Sequence, residues 1–263
     1  MLLDKGADVN AQGGMYGNAL QEASATGHDQ VVQMLLDKGA DVNAQGGEYG
    51  NALQGASKRG HDQVVQMLLD KGADDSAQGE MNATPLHAAS ETGHDQVVQM
   101  LLDKGADDNA QDAEYGSARQ EASKRGHDQV VQMLLDKGAD VNAQGGVYGT
   151  ALYAASSRGH DQVVQMLLDK GADVNAQGGR YGNALQAASE RGNNKVVRML
   201  LDKGADANAQ DGEYGNALQA ASKEGHDQVV QMLLDKGADV NAQGGWCGNA
   251  LQAASERGSV RKR

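Results

Sequence analysis

The stretch Gly27–Gly47, GHDQVVQMLLDKGADVNAQGG, returns almost letter for letter every 33 residues, and this period limits the fold more than any other feature. Met1, Met34, Met67, Met100, Met133, Met166, Met199 and Met232 keep the spacing without insertion or deletion. A period between about 20 and 50 residues marks a solenoid, in which each unit is one supersecondary element stacked on the next. The expected organisation is one array over residues 1–258, with seven complete units and a broken unit at each end. A short basic tail, 259–263, follows.

The unit Gly46–Gln78 shows how a repeat is built. Asn51-Ala52-Leu53-Gln54 has the form of a capping box, with Asn51 accepting from the backbone of the first turn and Gln54 reaching back. A short first helix then runs to Gly60, a residue able to take the left-handed conformation that closes it. His61-Asp62-Gln63 opens a second helix, with Asp62 in the first turn where the helix dipole favours a carboxylate. Its apolar residues Val64, Val65, Met67, Leu68 and Leu69 form a stripe too broad for packing on one side, which predicts neighbours on both flanks. Lys71 suits the last turn and Gly72 ends it, before a polar turn over Ala73–Gly79. Helices of about ten residues fall below the roughly 12–15 needed to persist alone, so a single unit is not expected to fold without its neighbours.

Composition narrows the function. Phe is absent, Trp and Pro occur once each and Gly 36 times, so the core must be thin layers of Leu, Val, Met and Ala. The formal charge of −13 argues against duplex nucleic acid, where affinity comes mainly from Lys and Arg neutralising phosphates, and against an anionic membrane surface. Cys247 stands alone, so nothing calls for an oxidising compartment. No apolar run approaches the roughly 20 residues of a membrane span, and MLLDKGADVN is repeat sequence, not a leader. The expectation is an intracellular, cytoplasmic protein.

The third unit carries Thr84-Pro85-Leu86-His87-Ala88-Ala89, then Gly93-His94, Val97-Val98, Leu101-Leu102 and Gly105-Ala106. This pattern resembles the ankyrin repeat over essentially the whole chain. The other units mostly write Asn-Ala-Leu-Gln for Thr-Pro-Leu-His and place Tyr-Gly at the turn, as in Tyr49-Gly50. That dialect resembles the near-identical ankyrin arrays of fungal proteins, often found behind a nucleotide-binding NTPase module. The resemblance implies an all-α solenoid of antiparallel helix pairs with hairpin or finger loops. It also implies partners held by the finger tips and by the concave face of the first helices.

Variation among the copies is concentrated. Just before the finger aromatic the eight copies read Met15, Glu48, Met81, Glu114, Val147, Arg180, Glu213 and Trp246. At the end of the first helix they include Lys58, Arg59, Lys124, Arg125, Arg158, Arg191 and Lys223, and within that helix Tyr153 replaces the usual Gln. By the family's geometry these positions line the concave face; they read either as drift at exposed sites or as a recognition surface. The helix-end stripe holds eight Lys or Arg against four Glu, an excess of +4 on an acidic chain, which predicts a basic groove for an acidic or mixed-charge polypeptide. Arg119 replaces a first-helix Leu, and Asp75 and Asp108 replace a loop Val. Arg119 is expected either to reach water along its stem or to pair with Glu121 or Glu114, leaving Asp112–Gln144 the softest unit.

Catalytic and metal chemistry find little support. Six of the seven His (His28, His61, His94, His127, His160, His226) occupy one repeat position. Stacked helices lie about 8–10 Å apart while zinc ligands lie about 2 Å from the metal, so such a ladder cannot converge on one ion. His87 sits in its Thr-Pro-Leu-His setting as a structural residue. Asp41–Gly46 echoes a calcium loop, but Ala52 stands where the bidentate Glu is required. The Gly-Gly-x-Tyr-Gly runs lack a phosphate-loop context and read as turns, and Cys247 has no neighbouring base. Catalysis needs unlike groups around one atom, whereas a translational array offers like groups in lines. No enzyme, metal or cofactor is expected. The leading expectation is a protein-recognition scaffold binding a protein or peptide. The alternatives are the sensing array or a fragment of a larger fungal NTPase-type receptor, or a structural spacer. Neither end carries a polar cap, which leaves end-to-end self-association open.

Overall fold

The computed structural model describes residues 2–79, 83–112, 116–179, 182–210, 212–213 and 215–256. The chain divides into two compact units, Met1–Ala122 and Ser123–Arg263. The first unit opens with a 3-10 turn, Leu3–Lys5, followed by α1 (Ala19–Ala25), α2 (Asp29–Asp37), α3 (Ala52–Arg59), α4 (Asp62–Asp70), α5 (Pro85–Thr92) and α6 (Asp95–Lys104). A minimal antiparallel pair, β1 (Gln111–Asp112) with β2 (Gly116–Ser117), leads into α7 (Ala118–Arg125), whose end falls in the second unit. The second unit continues with α8 (Asp128–Asp136), α9 (Ala151–Arg158), α10 (Asp161–Asp169), α11 (Ala184–Glu190), α12 (Asn194–Asp202), α13 (Ala217–Glu224), α14 (Asp227–Asp235) and α15 (Ala250–Glu256). Within each unit, first helices pack on first helices and second on second, as the 33-residue period requires. Among the described residues the fingers at 13–17, 46–50, 145–149 and 244–248 are tight loops closed by a backbone bond, such as Gly46 N–H to Gly50 C=O at 2.7 Å.

The first helices start where the sequence says. Asn18, Asn183 and Asn216 form full capping boxes with Gln21, Gln186 and Gln219. Asn51 is a correction. Its side chain accepts the Gln54 amide, but the Gln54 carbonyl oxygen does not reach back and stays buried without a partner. Thr84 caps α5 ahead of Pro85, whose missing N–H costs nothing at that position. At the other end Gly192 takes φ 70°, and a Cβ there would stand 2.6 Å from His226 Nδ1. That glycine therefore serves two needs, the left-handed turn and room for the next repeat's imidazole.

The second helices bury less than the stripe predicts. Val64, Val65, Leu68 and Leu69 are buried, whereas Met67 is only half-buried. On their outer side, within each unit, an exposed ladder links neighbouring second helices: Lys71 to Asp37, Lys104 to Asp70, Lys170 to Asp136, Lys203 to Asp169 and Lys236 to Asp202. In the loops below, Asn43 donates to Gly72 C=O and accepts from Asp74 N–H, and Asn175 does the same with Gly204 and Asp206.

Ser24, Ser57, Ser90, Ser123, Ser156 and Ser189 stand at one first-helix position, fully buried, with hydroxyls that find no hydrogen-bond partner. An unmatched buried hydroxyl costs about 1–3 kcal/mol. Ser57→Ala, Ser90→Ala and Ser156→Ala should each raise stability by about 1 kcal/mol, read as the shift in thermal midpoint; a fall would show that the hydroxyl is bonded.

Arg119 contradicts the first expectation for it. It does not reach water: it is 0% exposed, as inaccessible as the leucines it replaces. The carboxylate of Asp108 lies close enough to exert an electrostatic attraction on it. Two departures from the repeat that look like independent wear in the sequence are therefore coupled in space. Burial nevertheless holds the Asp108 carboxyl above the usual carboxylate range, against the pull of Arg119. One of its oxygens accepts from Asn109 at 2.8 Å, and the other is buried with no partner. Of the Glu residues expected as alternatives, Glu121 is itself buried at 5% exposure, and Glu114 lies outside the described residues.

Candidate functional site

The variable helix-end positions meet the finger aromatics. In the first unit Tyr16 stacks on Tyr49 with ring centroids 6.2 Å apart. The Arg59 guanidinium lies 5.7 Å from the Tyr49 ring centre and donates from Nη2 to its hydroxyl at 2.6 Å. Adjacent finger tips are tied by Glu48 N–H to Met15 C=O at 2.9 Å, and Lys58 Nζ stands 3.8 Å from Glu91. In the second unit the Lys124 ammonium lies 4.7 Å from the Tyr148 ring centre, and Lys223 lies 5.9 Å from that of Trp246. Trp246 N–H donates to Glu213 C=O at 3.1 Å, again joining neighbouring tips. A helix-end cation over a finger aromatic is thus the recurring element, held by cation–π attraction.

Exposure sorts the remaining candidates. Met15, Val147 and Trp246 are 63%, 54% and 77% exposed, unusually open for large apolar side chains. Glu48, Lys58, Arg59, Arg125, Arg158 and Arg191 are exposed, while Lys124, Lys223 and Glu213 are half-buried. The guanidinium groups of Arg158 and Arg191 form no hydrogen bond or ion pair with a described residue. Met81, Glu114 and Arg180 lie outside the described residues, as do Arg257 and the tail 259–263. Tyr153 is a correction: at 2% exposure it offers no surface to a partner. Its ring lies against Gly179, filling the space beneath the next finger.

The residues that sequence reasoning missed are the links between repeats. Gln219 Nε2 donates to Ala242, Gly244 and Gly248 C=O at 3.1, 3.3 and 2.8 Å while its Oε1 caps its own helix. Gln21 does the same with Ala44, Gly46 and Gly50. His87 accepts from the Thr84 hydroxyl through Nδ1 at 2.9 Å and donates from Nε2 to Gly116 C=O at 2.7 Å. Thr-Pro-Leu-His and Asn-Ala-Leu-Gln are therefore two solutions to one problem. The signal that could have exposed this is the fixed four-residue spacing ending in Gln or His immediately after a glycine finger. The His ladder is also structural: His61, His160 and His226 donate from Nε2 to Ala25, Lys124 and Glu190 C=O, and Asn193 replaces the imidazole by donating to Ser156 C=O. Burial pushes the Cys247 thiol up, and the Glu256 carboxylate 3.5 Å from its sulfur adds to this, which keeps it a thiol and a poor nucleophile.

Paired antiparallel helices, glycine fingers and a side-chain clamp across each repeat define a helical-repeat scaffold. Family models described as ankyrin repeats match residues 45–112, 109–178 and 178–244, with a further match over 20–69, and the chain belongs to the ankyrin-repeat family. Among solved structures it is similar to the human ASB11 ankyrin repeat domain, with 29% identity and a TM-score of 0.76 over 84% of this chain and 99% of that one. No curated protein matches the chain in sequence. The family is generally non-catalytic and generally mediates contact with other proteins. Among the described residues no helix is long and apolar enough to cross a membrane.

Proposed function

We propose that this chain is a non-catalytic recognition scaffold that holds an acidic or mixed-charge polypeptide on its finger tips and first-helix ends. The observation that carries this reading is the pairing of variable helix-end cations with finger aromatics, Arg59 with the recurring Tyr49, Lys124 with the recurring Tyr148 and Lys223 with the variable Trp246. Cations poised over aromatic faces suit a carboxylate carried on an apolar stem, and the exposed Met15, Val147 and Trp246 add apolar anchors beside them. The unbroken period supports reading residues 1–258 as one array, and the single thiol suits a cytoplasmic setting.

The test is affinity capture followed by binding measurements on the captured polypeptide. Charge reversal at Arg59, Arg125 and Arg158 should weaken binding by about tenfold or more, since charge-assisted contacts carry about 1.5–3 kcal/mol each. Trp246→Ala should weaken it independently. Unchanged affinity in both variants would leave the spacer reading in its place.

A further inference from the structure

The second helices are monotonous except at one station. Six of them, α2, α4, α6, α8, α10 and α14, carry the same residues, DQVVQMLLD or that string with one more Lys. In each the second Gln donates to the closing Asp four residues on, as Gln66 does to Asp70 and Gln231 to Asp235, both at 2.8 Å. Helix α12 instead reads NKVVRMLLD. Over the same nine positions its charge is +1 where the others carry −2. Lys195 is drawn to Asp161 and Asn194 to Gln228, but the Arg198 guanidinium forms no hydrogen bond or ion pair with a described residue. Asp202, which would take the Gln bond, is held by Lys236 at 2.9 Å.

Grooves flank α12 on both sides. The one toward α10 encloses 690 Å³ and has half-buried Met166 and Met199 along it, with Asp161 and Lys195 at its edge. The one toward α14 encloses 300 Å³ between Arg198, Leu201 and Met232, with Asp202 and Asp235 beside them. Methionine floors adapt to varied apolar side chains.

We propose that this outer face, centred on Arg198, is a second docking surface, distinct from the finger and first-helix surface. Its occupant is an amphipathic helical segment of another protein with one central carboxylate and apolar neighbours. Charge complementarity argues for this occupant. Arg198 offers a fork for a single carboxylate, and since Asp161, Asp169 and Asp202 are already held by Lys195, Lys203 and Lys236, it is the unmatched cation of this face among the described residues. A helix is favoured over a strand because the face offers grooves between helices and no sheet edge, so side chains spaced i, i+3, i+4 and i+7 can enter. This reading does not depend on the proposal for the finger surface.

The test is a phage-displayed library of random 16-residue helical peptides, selected on the whole chain and counter-selected on Arg198→Gln. That variant places at 198 the residue found in the six other helices, so its folding is secure. Enriched peptides should carry one acidic residue within an apolar stripe, bind the parent chain at least tenfold tighter than R198Q, and shift the 13C-methyl signals of Met166, Met199 and Met232. They should bind the R59E/R125E/R158E variant as tightly as the parent. The proposal is overturned if no peptide distinguishes the parent from R198Q, or if the methionine signals that move lie elsewhere.

Discussion

Returning Arg119 to leucine and Asp108 to valine together should stabilise the chain by about 1–4 kcal/mol, the range seen when buried charged groups give way to well-packed apolar residues. Leucine occupies the equivalent position at Leu20, Leu53, Leu152, Leu185 and Leu218, buried to the same degree, so the cavity already has a shape that fits it. Arg119→Leu alone should gain less, because Asp108 would keep its burial cost and lose the guanidinium's attraction. The double-mutant cycle therefore gives a coupling energy directly, and additive single effects would refute the coupling. Amide exchange over Ala118–Arg125 should slow in the double variant, which also tests the expectation that this repeat is the soft one.

The same pair predicts a pH dependence with a definite sign. The folded-state pKa of Asp108 is raised, so between the ordinary carboxylate value near ~4 and that raised value the native state binds more protons than the unfolded one. Stability from this group falls as pH rises through that window, and the penalty is complete once pH exceeds the folded value. Asp70, Asp136 and Asp169 behave oppositely, because hydrogen bonds from Gln66, from Lys170 and from Gln165 lower their values. Their contribution is present above the unfolded pKa and is lost as pH falls through the folded one. The advantage of the Asp108→Val, Arg119→Leu variant over the parent should thus shrink between pH 7 and pH 4.5, read from urea midpoints.

Truncating a clamp should do the reverse. Gln219→Ala removes an N-cap contact and three bonds to the next finger from a side chain that is 1% exposed. The expected loss is about 2–4 kcal/mol, since each bond is worth roughly 0.5–1.5 and the carbonyls it leaves are partly buried. Asn216→Thr with Gln219→His should recover part of this, because Thr84 and His87 already make the cap and the bond 29 residues ahead. The recovery is partial because His87 reaches one carbonyl where Gln219 reaches three. Equal thermal midpoints for Q219A and the parent would remove the clamp from the account.

Much of the fold was legible because its causes are local. The cap at Asn18, the left-handed Gly60 and the start of the second helix at Asp62 each depend on a side chain and the backbone within four residues of it. The candidate surface was legible in part: the exposed Met15 and Trp246 lay where repeat variation pointed, whereas Tyr153 sits in the interior. Periodicity says how often a position recurs, and says nothing of which neighbour it touches.

The sequence by itself determined the repeat, its helix pair and the family, since helix caps and apolar spacing act over a few residues. Only the tertiary structure decided that Arg119 comes within the electrostatic reach of Asp108, that Gln219 and His87 clamp the next finger, and that Lys124 and Lys223 rest on Tyr148 and Trp246. These partners are 11 to 29 residues apart in the chain. Stacking one repeat on the next brings them within reach, and burial then fixes what each contact is worth.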